Sequence, residues 1–258
     1  MGWEPQDAVT VVTGATSGIG RCLAEQLLGL GAYVVANGRR EDRLSQLRSQ
    51  LGSRLIPIAG DVTSPDVRQR IVEAAEMVRD GQLDLLVNSA GVGAIGPFAD
   101  ATPERMRKVM EVNFFAPVEL TRTLLPLLSK GRRSVICNIG SVLGHRAVPN
   151  KSEYCASKFA IHGWSDSLRA ELAEQDIQVT LVSPSTTASE FFDALVDTES
   201  SQQSKSFGSW TPDRVAKVAI TAIRSRRSEV ICSLAGKLLV YGDRISPPVM
   251  NAVVAKIK

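Results

Sequence analysis

Tyr154 and Lys158 stand four residues apart in the segment SEYCASKFAIHGW at 152–164. The segment reads as a helix, and residues i and i+4 share one helix face. A phenol with a pKa of about 10 is a poor proton carrier at neutral pH. An ammonium group beside it favours the phenolate and lowers that pKa. Tyr154 then becomes a usable general acid–base. The Tyr-x-x-x-Lys spacing alone recurs by chance, so its company matters. Ser141 lies thirteen residues upstream, just past the strand-like run SVICNIG. Its hydroxyl can bond a carbonyl oxygen and steady negative charge developing there. Asn113, in EVNFFAP, is a mediocre helix former in the middle of a helical stretch. It reads either as the holder of a water linking Lys158 to solvent or as a kink satisfied by its own side chain.

These side chains need a scaffold, and the apolar pattern supplies one. AVTVVTG (8–14), AYVVAN (32–37), RLIPIAG (54–60), LDLLVNSAG (83–91), SVICNIG (134–140) and IQVTLVSP (177–184) read as strands. Helical patterns fill 18–30, 41–51, 65–79, 103–130 and 154–174. The strands are continuously apolar, as expected when helices cover both faces of a sheet. The alternation predicts an α/β fold with a doubly wound parallel sheet, in a single domain over 1–258. Beyond 184 the rhythm breaks. Residues 185–210 are rich in Ser, Thr, Gln and Phe. They are followed by a helix at 211–226, a short strand EVICS (229–233) and a tail. An insert after a strand's carboxyl end is expected to serve as a substrate loop; the plain alternative is a surface loop.

TGATSGIG (13–20) sits at the first strand-to-helix turn. Gly14, Gly18 and Gly20 permit a tight turn and close approach to a pyrophosphate. The helix starting near Ser17 points free N–H groups at it, with Thr16 and Ile19 in the same turn. The second strand selects the cofactor. Where an acidic residue would bond a ribose 2′-hydroxyl, the chain reads NGRR. Arg39 and Arg40 offer guanidinium forks to a 2′-phosphate, which favours NADP(H) over NAD(H). The alternative is a solvated basic pair. In GDVT (60–63), Asp61 can accept from an adenine amine or close the turn, and Val62 offers backbone contacts. In NSAG (88–91), Ala90 and Gly91 let the chain run beside a ribose. Asn88 contributes there or ties neighbouring strands. Lys158 can also hold ribose hydroxyls, and a cationic nicotinamide would lower the Tyr154 pKa further.

Composition excludes other classes. The net charge of +3, from 30 basic and 27 acidic side chains, carries no nucleic-acid footprint. Four scattered cysteines with no Cys-x-x-Cys are expected to stay reduced, in a cytoplasmic setting. With only His145 and His162 as histidines, no metal site is expected. No apolar run approaches the roughly 20 residues of a transmembrane span. The N-terminus reads as neither a secretory nor a transit segment.

Together, TGATSGIG, NSAG, Asn113, Ser141 and YCASK resemble a short-chain dehydrogenase/reductase, in that family's order and spacing and over nearly the whole chain. The resemblance implies a three-layer Rossmann-like domain of about seven parallel strands. It implies an Asn113–Ser141–Tyr154–Lys158 tetrad and hydride exchange between nicotinamide C4 and a small-molecule carbonyl or alcohol. It also implies homodimers or homotetramers built on the helices at 103–130 and 154–174. Arg39 resembles the position that marks NADP(H)-preferring members. There are departures. After the sixth strand the family often shows Pro-Gly and then Thr; here the chain reads SPSTTASEF (183–191). Ser185 follows Pro184, and either Thr187 or Ser189 is left for the nicotinamide amide. The competing reading is a non-catalytic NADP(H) sensor on the same fold, which would not need the tetrad.

The loop VLGHRAVPNKSE after Ser141 should border the reaction site. Leu143, Val148 and Phe191 are expected to form an apolar wall. His145 and Arg146 read as solvated loop charges in preference to substrate recognisers. His162 and Trp164 are expected to serve packing. The tail (234–258) is apolar with scattered basic residues and is interrupted at Pro247 and Pro248. It can cover the site mouth, pack on a partner subunit or lie on a membrane surface; the packing readings are preferred.

Overall fold

Seven strands form one parallel sheet in the order β3-β2-β1-β4-β5-β6-β7. They are β1 Val9–Val12, β2 Tyr33–Gly38, β3 Leu55–Ala59, β4 Leu85–Asn88, β5 Val135–Ile139, β6 Gln178–Ser183 and β7 Glu229–Ile231. The computed structural model describes residues 2–188, 190, 195–197 and 210–256; Ser189 and Phe191 lie outside the described residues. The strand order reverses beside β1, where Val9 pairs with Tyr33 on one side and Thr10 with Leu85 on the other. An open parallel sheet leaves its ligand crevice at such a switch point, beyond the strands' carboxyl ends.

The unbroken apolar strands are explained by two cores. On one face, α1 (Gly18–Gly29), α2 (Glu41–Leu51) and α7 (Pro212–Arg224) bury Leu23, Leu27, Leu47 and Ile223 against the sheet. On the other, α3 (Pro65–Glu76), α5 (Ala116–Leu128) and α6 (Ser152–Glu171) bring Ile71, Leu120, Leu124 and Leu168 to it. Each large apolar side chain fully removed from water contributes about 1.5–3 kcal/mol, so both layers hold the sheet edge rigidly under the site.

Two elements differ from expectation. The continuous helix predicted at 103–130 is divided into α4 (Pro103–Met110), a π-helical turn at Glu111–Phe115 and α5. The extra residue in that turn lets Asn113 point inward to backbone partners, and such bulges gather at functional sites. The tail forms α8 (Leu234–Ile245) and α9 (Pro247–Val254). Pro247 and Pro248 do end one helix, but they also begin the next, where a missing N–H and a fixed φ cost little.

Candidate active site

A cavity of about 930 Å³ follows the carboxyl edge of the sheet, touching the chain just beyond β1, β2, β3, β4, β5 and β6. At its first end is the glycine turn. Gly14 has φ +69°, and a Cβ there would lie 2.9 Å from the Ala90 backbone; one on Gly20 would lie 2.4 Å from the Gly14 carbonyl. Only hydrogen at both positions lets the turn close onto β4. Ser17 starts α1 without a side-chain cap, so the first N–H groups of the helix are left for a ligand. Thr16, Ser17, Gly18, Ile19 and Gly20 all line the cavity. A cradle this shallow, at an uncapped helix N-terminus, fits a pyrophosphate.

Beyond β2, Arg39 is exposed and lines the cavity, as does Arg40. The Arg40 guanidinium reaches the Glu190 carboxylate at 2.7 Å and the Thr16 hydroxyl at 3.4 Å. Arg43 joins them: its Nη1 donates to both Glu190 oxygens, at 2.9 and 2.8 Å, and to the Thr16 carbonyl at 3.3 Å. Arg43 and Glu190 escaped the sequence reading; the signal for Arg43 is its place one turn after Arg40 on α2. Asp61 and Val62 line the next stretch. Asp61 Oδ1 accepts from the Thr63 N–H and hydroxyl, so it closes the turn. Burial raises the Asp61 pKa, but the Thr63 bonds and the nearby Lys108 and Arg39 charges outweigh it and hold the carboxyl low.

Ala90 and Gly91 border the cavity, whereas Asn88 does not reach it. The Asn88 amide donates to Asn138 at 2.8 Å and to Thr121 at 3.3 Å, so it ties β4 to β5 and α5. This is the strand-tying role that the sequence offered beside the cofactor one.

At the far end, Ser141 and Tyr154 are hydrogen-bonded to one another. The Ser141 hydroxyl also accepts from the Leu143 N–H at 3.1 Å, which starts a one-turn helix at 142–144. The expected depression of the Tyr154 pKa by Lys158 is opposed by desolvation. Burial pushes the phenol up to about 12, with the Ser141 bond opposing it. Lys158 is itself buried and pushed down to about 8, and its Nζ donates to the Ile139 carbonyl at 2.8 Å. The spacing brought the two side chains onto one face but did not reveal the desolvation of both.

The Asn113 side chain is held by protein partners. Its Oδ1 accepts from the Val92 N–H at 2.8 Å, and its Nδ2 donates to the Val92 carbonyl and to Ser157, each at 2.9 Å. Ser157 donates in turn to the Tyr154 carbonyl at 2.8 Å. The Asn113 side chain is thus a strut between the loop after β4 and the helix that carries Tyr154, and it does not line the cavity.

Pro184, Ser185 and Thr187 line the cavity beyond β6, with the Thr187 hydroxyl bonded to the Ser185 carbonyl at 3.2 Å. Leu143 and Val148 form apolar wall as expected, joined by Val92, Ile95, Leu195 and Leu239. Lys151 also faces the cavity, and burial lowers its pKa. It escaped the sequence reading although it lies one turn before Tyr154. His145 and Arg146 are neither solvated nor in the cavity. His145 meets Ser183 at 3.0 Å and Glu229 at 2.9 Å, and Arg146 pairs with Asp243 at 2.9 Å. The His145 and His162 rings lie 4.3 Å apart, so the two histidines gather with Glu229 behind the site.

The known family described as "short chain dehydrogenase" matches residues 8–200. The dehydrogenase/reductase SDR family member 7B of Xenopus laevis is 33% identical, over 97% of this chain and 81% of that protein. A short-chain dehydrogenase/reductase from Burkholderia phymatum, solved with NAD, superposes with TM-score 0.84 at 25% identity, over 94% of this chain and 95% of its own. A short-chain dehydrogenase from Burkholderia cenocepacia, solved with NADP, does so with TM-score 0.84 at 27% identity, over 97% and 98%.

Proposed function

This chain belongs to the short-chain dehydrogenase family, and on that premise we propose that it transfers a hydride between NADP(H) and a carbonyl or alcohol, with Tyr154 as general acid–base. The observation that carries the proposal is the Ser141–Tyr154 hydroxyl pair at one end of a cavity whose other end is the glycine turn. When bound, the dinucleotide supplies or accepts the hydride. The α1 N-terminus and the Gly14–Gly20 turn would hold its pyrophosphate, and Arg39, with Arg40 and Arg43 behind it, its 2′-phosphate.

The remaining chemistry belongs to side chains. Ser141 orients the substrate oxygen by hydrogen bonding. Tyr154, kept protonated by burial at neutral pH, donates its proton to that oxygen in reduction and takes one back in oxidation. Lys158 donates to the Ile139 carbonyl, with no carboxylate partner among the described residues. Its charge in this desolvated corner would steady the tyrosinate left after proton transfer. The free cysteines support a reducing, cytoplasmic setting. Met106 and Phe115, exposed on α4 and the π turn, support a homodimer or homotetramer built on that face.

The test is reduction of an aldehyde and ketone panel with NADPH and with NADH, by wild type and Tyr154→Phe. The proposal expects turnover with NADPH that falls about 10²–10⁴-fold in the variant. Tight NADPH binding without turnover on any carbonyl or alcohol would favour the sensor reading.

A further inference from the structure

Thirteen large apolar side chains are exposed among the described residues, and six of them fall in the last two helices: Leu234, Leu238, Tyr241, Ile245, Val249 and Val253. The first four follow the spacing of a single helix face along α8. The opposite side of α8 is occupied: Val240 is buried with Val142 and Ile231, and Leu239 packs against them. The chain's own core therefore covers one side of this element and leaves an apolar surface on the other.

The charges on these two helices are mostly basic, although Arg244 also reaches the Glu229 carboxylate at 4.0 Å. Lys237, Arg244, Lys256 and Lys258 are the basic side chains from 234 onward, against the single carboxylate of Asp243. Asp243 is already neutralised by Arg146 at 2.9 Å. Lys237 and Arg244 are exposed on α8 itself, between the apolar positions. A second copy of the chain seated face to face would bring cation against cation in a drying interface. An anionic lipid surface meets both needs, with acyl boundary for the leucines and headgroups for the lysines. No described helix is long and apolar enough to cross a membrane, so the element would lie on the surface.

The same helix borders the reaction site. Ala235, Gly236 and Leu239 of α8 line the cavity that contains Tyr154. We propose that α8 and α9 form an interfacial element that docks on anionic bilayers and sets the cavity mouth against the lipid. Resting on the functional reading above, this makes the substrate an apolar carbonyl or alcohol that partitions into membranes.

Flotation of the full chain with vesicles tests it. One set contains phosphatidylcholine with about 30 mol% phosphatidylserine, the other phosphatidylcholine alone. The expected result is flotation on the anionic set, weakened by salt and by Lys237→Glu/Lys256→Glu, and reduced at least ~10-fold in Leu238→Glu/Ile245→Glu. All four positions are exposed, and unchanged thermal melts would show that the variants fold. No flotation of wild type, or equal flotation of the leucine–isoleucine variant, overturns the proposal. So does a wild-type dimer that ignores vesicles and dissociates in that variant, which would make a second copy the occupant. Flotation needs no turnover, so a protein that floats but reduces no carbonyl would overturn the enzymatic reading and leave the docking surface standing.

Discussion

The Nζ of Lys158 donates to the Ile139 carbonyl at 2.8 Å while standing 5.7 Å from the centre of the Tyr154 ring. The two groups share a desolvated corner in which each resists its charged form. Burial holds the lysine near 8 and the tyrosine near 12. Tyr154 and Lys158 are therefore not a standing ion pair at neutral pH.

That has a consequence for stability. The folded-state pKa of Lys158 lies below its unfolded value, so the unfolded chain binds more protons between about pH 8 and 10.5. The Lys158 contribution to stability rises with pH across that window and is lowest below it. Lys158→Met removes the penalty. In urea denaturation of the ligand-free protein, the variant's stability relative to wild type is expected to be greatest at pH 7. The relative gain should shrink by about 3 kcal/mol on approaching pH 10.5, because each pH unit between the folded and unfolded pKa values is worth about 1.4 kcal/mol. A pH-independent difference between the two proteins would refute this account of the corner.

The proposed NADP(H) preference implies a competition for guanidinium groups. Glu190 holds Arg40 at 2.7 Å and Arg43 at 2.8 Å, beside the exposed Arg39. Hydrogen bonds to a charged group contribute about 1.5–3 kcal/mol, so Arg39→Ala is expected to weaken NADPH binding about 10- to 100-fold and leave NADH nearly unchanged. Glu190→Gln acts in the opposite direction. It removes a carboxylate that competes for the same guanidinium groups, and NADPH affinity should rise about 2- to 5-fold, a small gain because the groups are solvent-screened. Fluorescence titration with both nucleotides reads each change. Equal affinities for NADPH and NADH in wild type would exclude the 2′-phosphate role.

The parts of this site that were legible in the sequence are those fixed by local pattern. The apolar runs gave the strands, and the order of small residues placed Gly14, Gly91, Ser141 and Tyr154 at one sheet edge. What escaped depends on contacts between distant segments. Asn88 looks the same in sequence whether it faces a ribose or Asn138. The break around Asn113 needs the Val92 backbone 21 positions away to make it favourable. The pKa directions of Tyr154 and Lys158 depend on how completely neighbouring elements exclude water, which spacing on one helix does not encode. The tail's composition likewise did not encode that α8 buries Val240 on one side and exposes Leu238 on the other.

Arg105 on α4 and Glu153 on α6 form a buried pair, 2.6 Å apart, immediately beside Tyr154 in sequence. Breaking a buried pair leaves an uncompensated charge, so Arg105→Met is expected to cost about 3–5 kcal/mol at pH 7. Arg105→Met/Glu153→Met should recover most of that loss. Burial raises the Glu153 pKa, but its backbone, Arg105 and Ser152 bonds outweigh it and the carboxyl is held low. The wild type should therefore lose this contribution as pH falls below the ordinary carboxylate range of about 4. The single variant should instead regain relative stability on acidification, as the stranded carboxyl takes up a proton. Chemical denaturation at pH 7 and pH 5 separates the cases.

Asn113 is the residue whose two readings diverge most in experiment. As a strut it satisfies the N–H and carbonyl of Val92 and reaches Ser157, under the helix that holds Tyr154. Each buried polar group left without a partner costs about 1–3 kcal/mol, so Asn113→Ala should destabilise the chain by about 3 kcal/mol. The Val92 N–H should exchange with solvent at least ~10-fold faster, because its bond to the Asn113 side chain would be gone. Val92 lines the cavity, so KM should rise along with any fall in kcat. A water-holding role predicts a different pattern, in which kcat falls while the melting temperature and Val92 exchange stay at their wild-type values. Hydrogen exchange of that single amide, measured beside the kinetics, decides between a positioning residue and a proton relay.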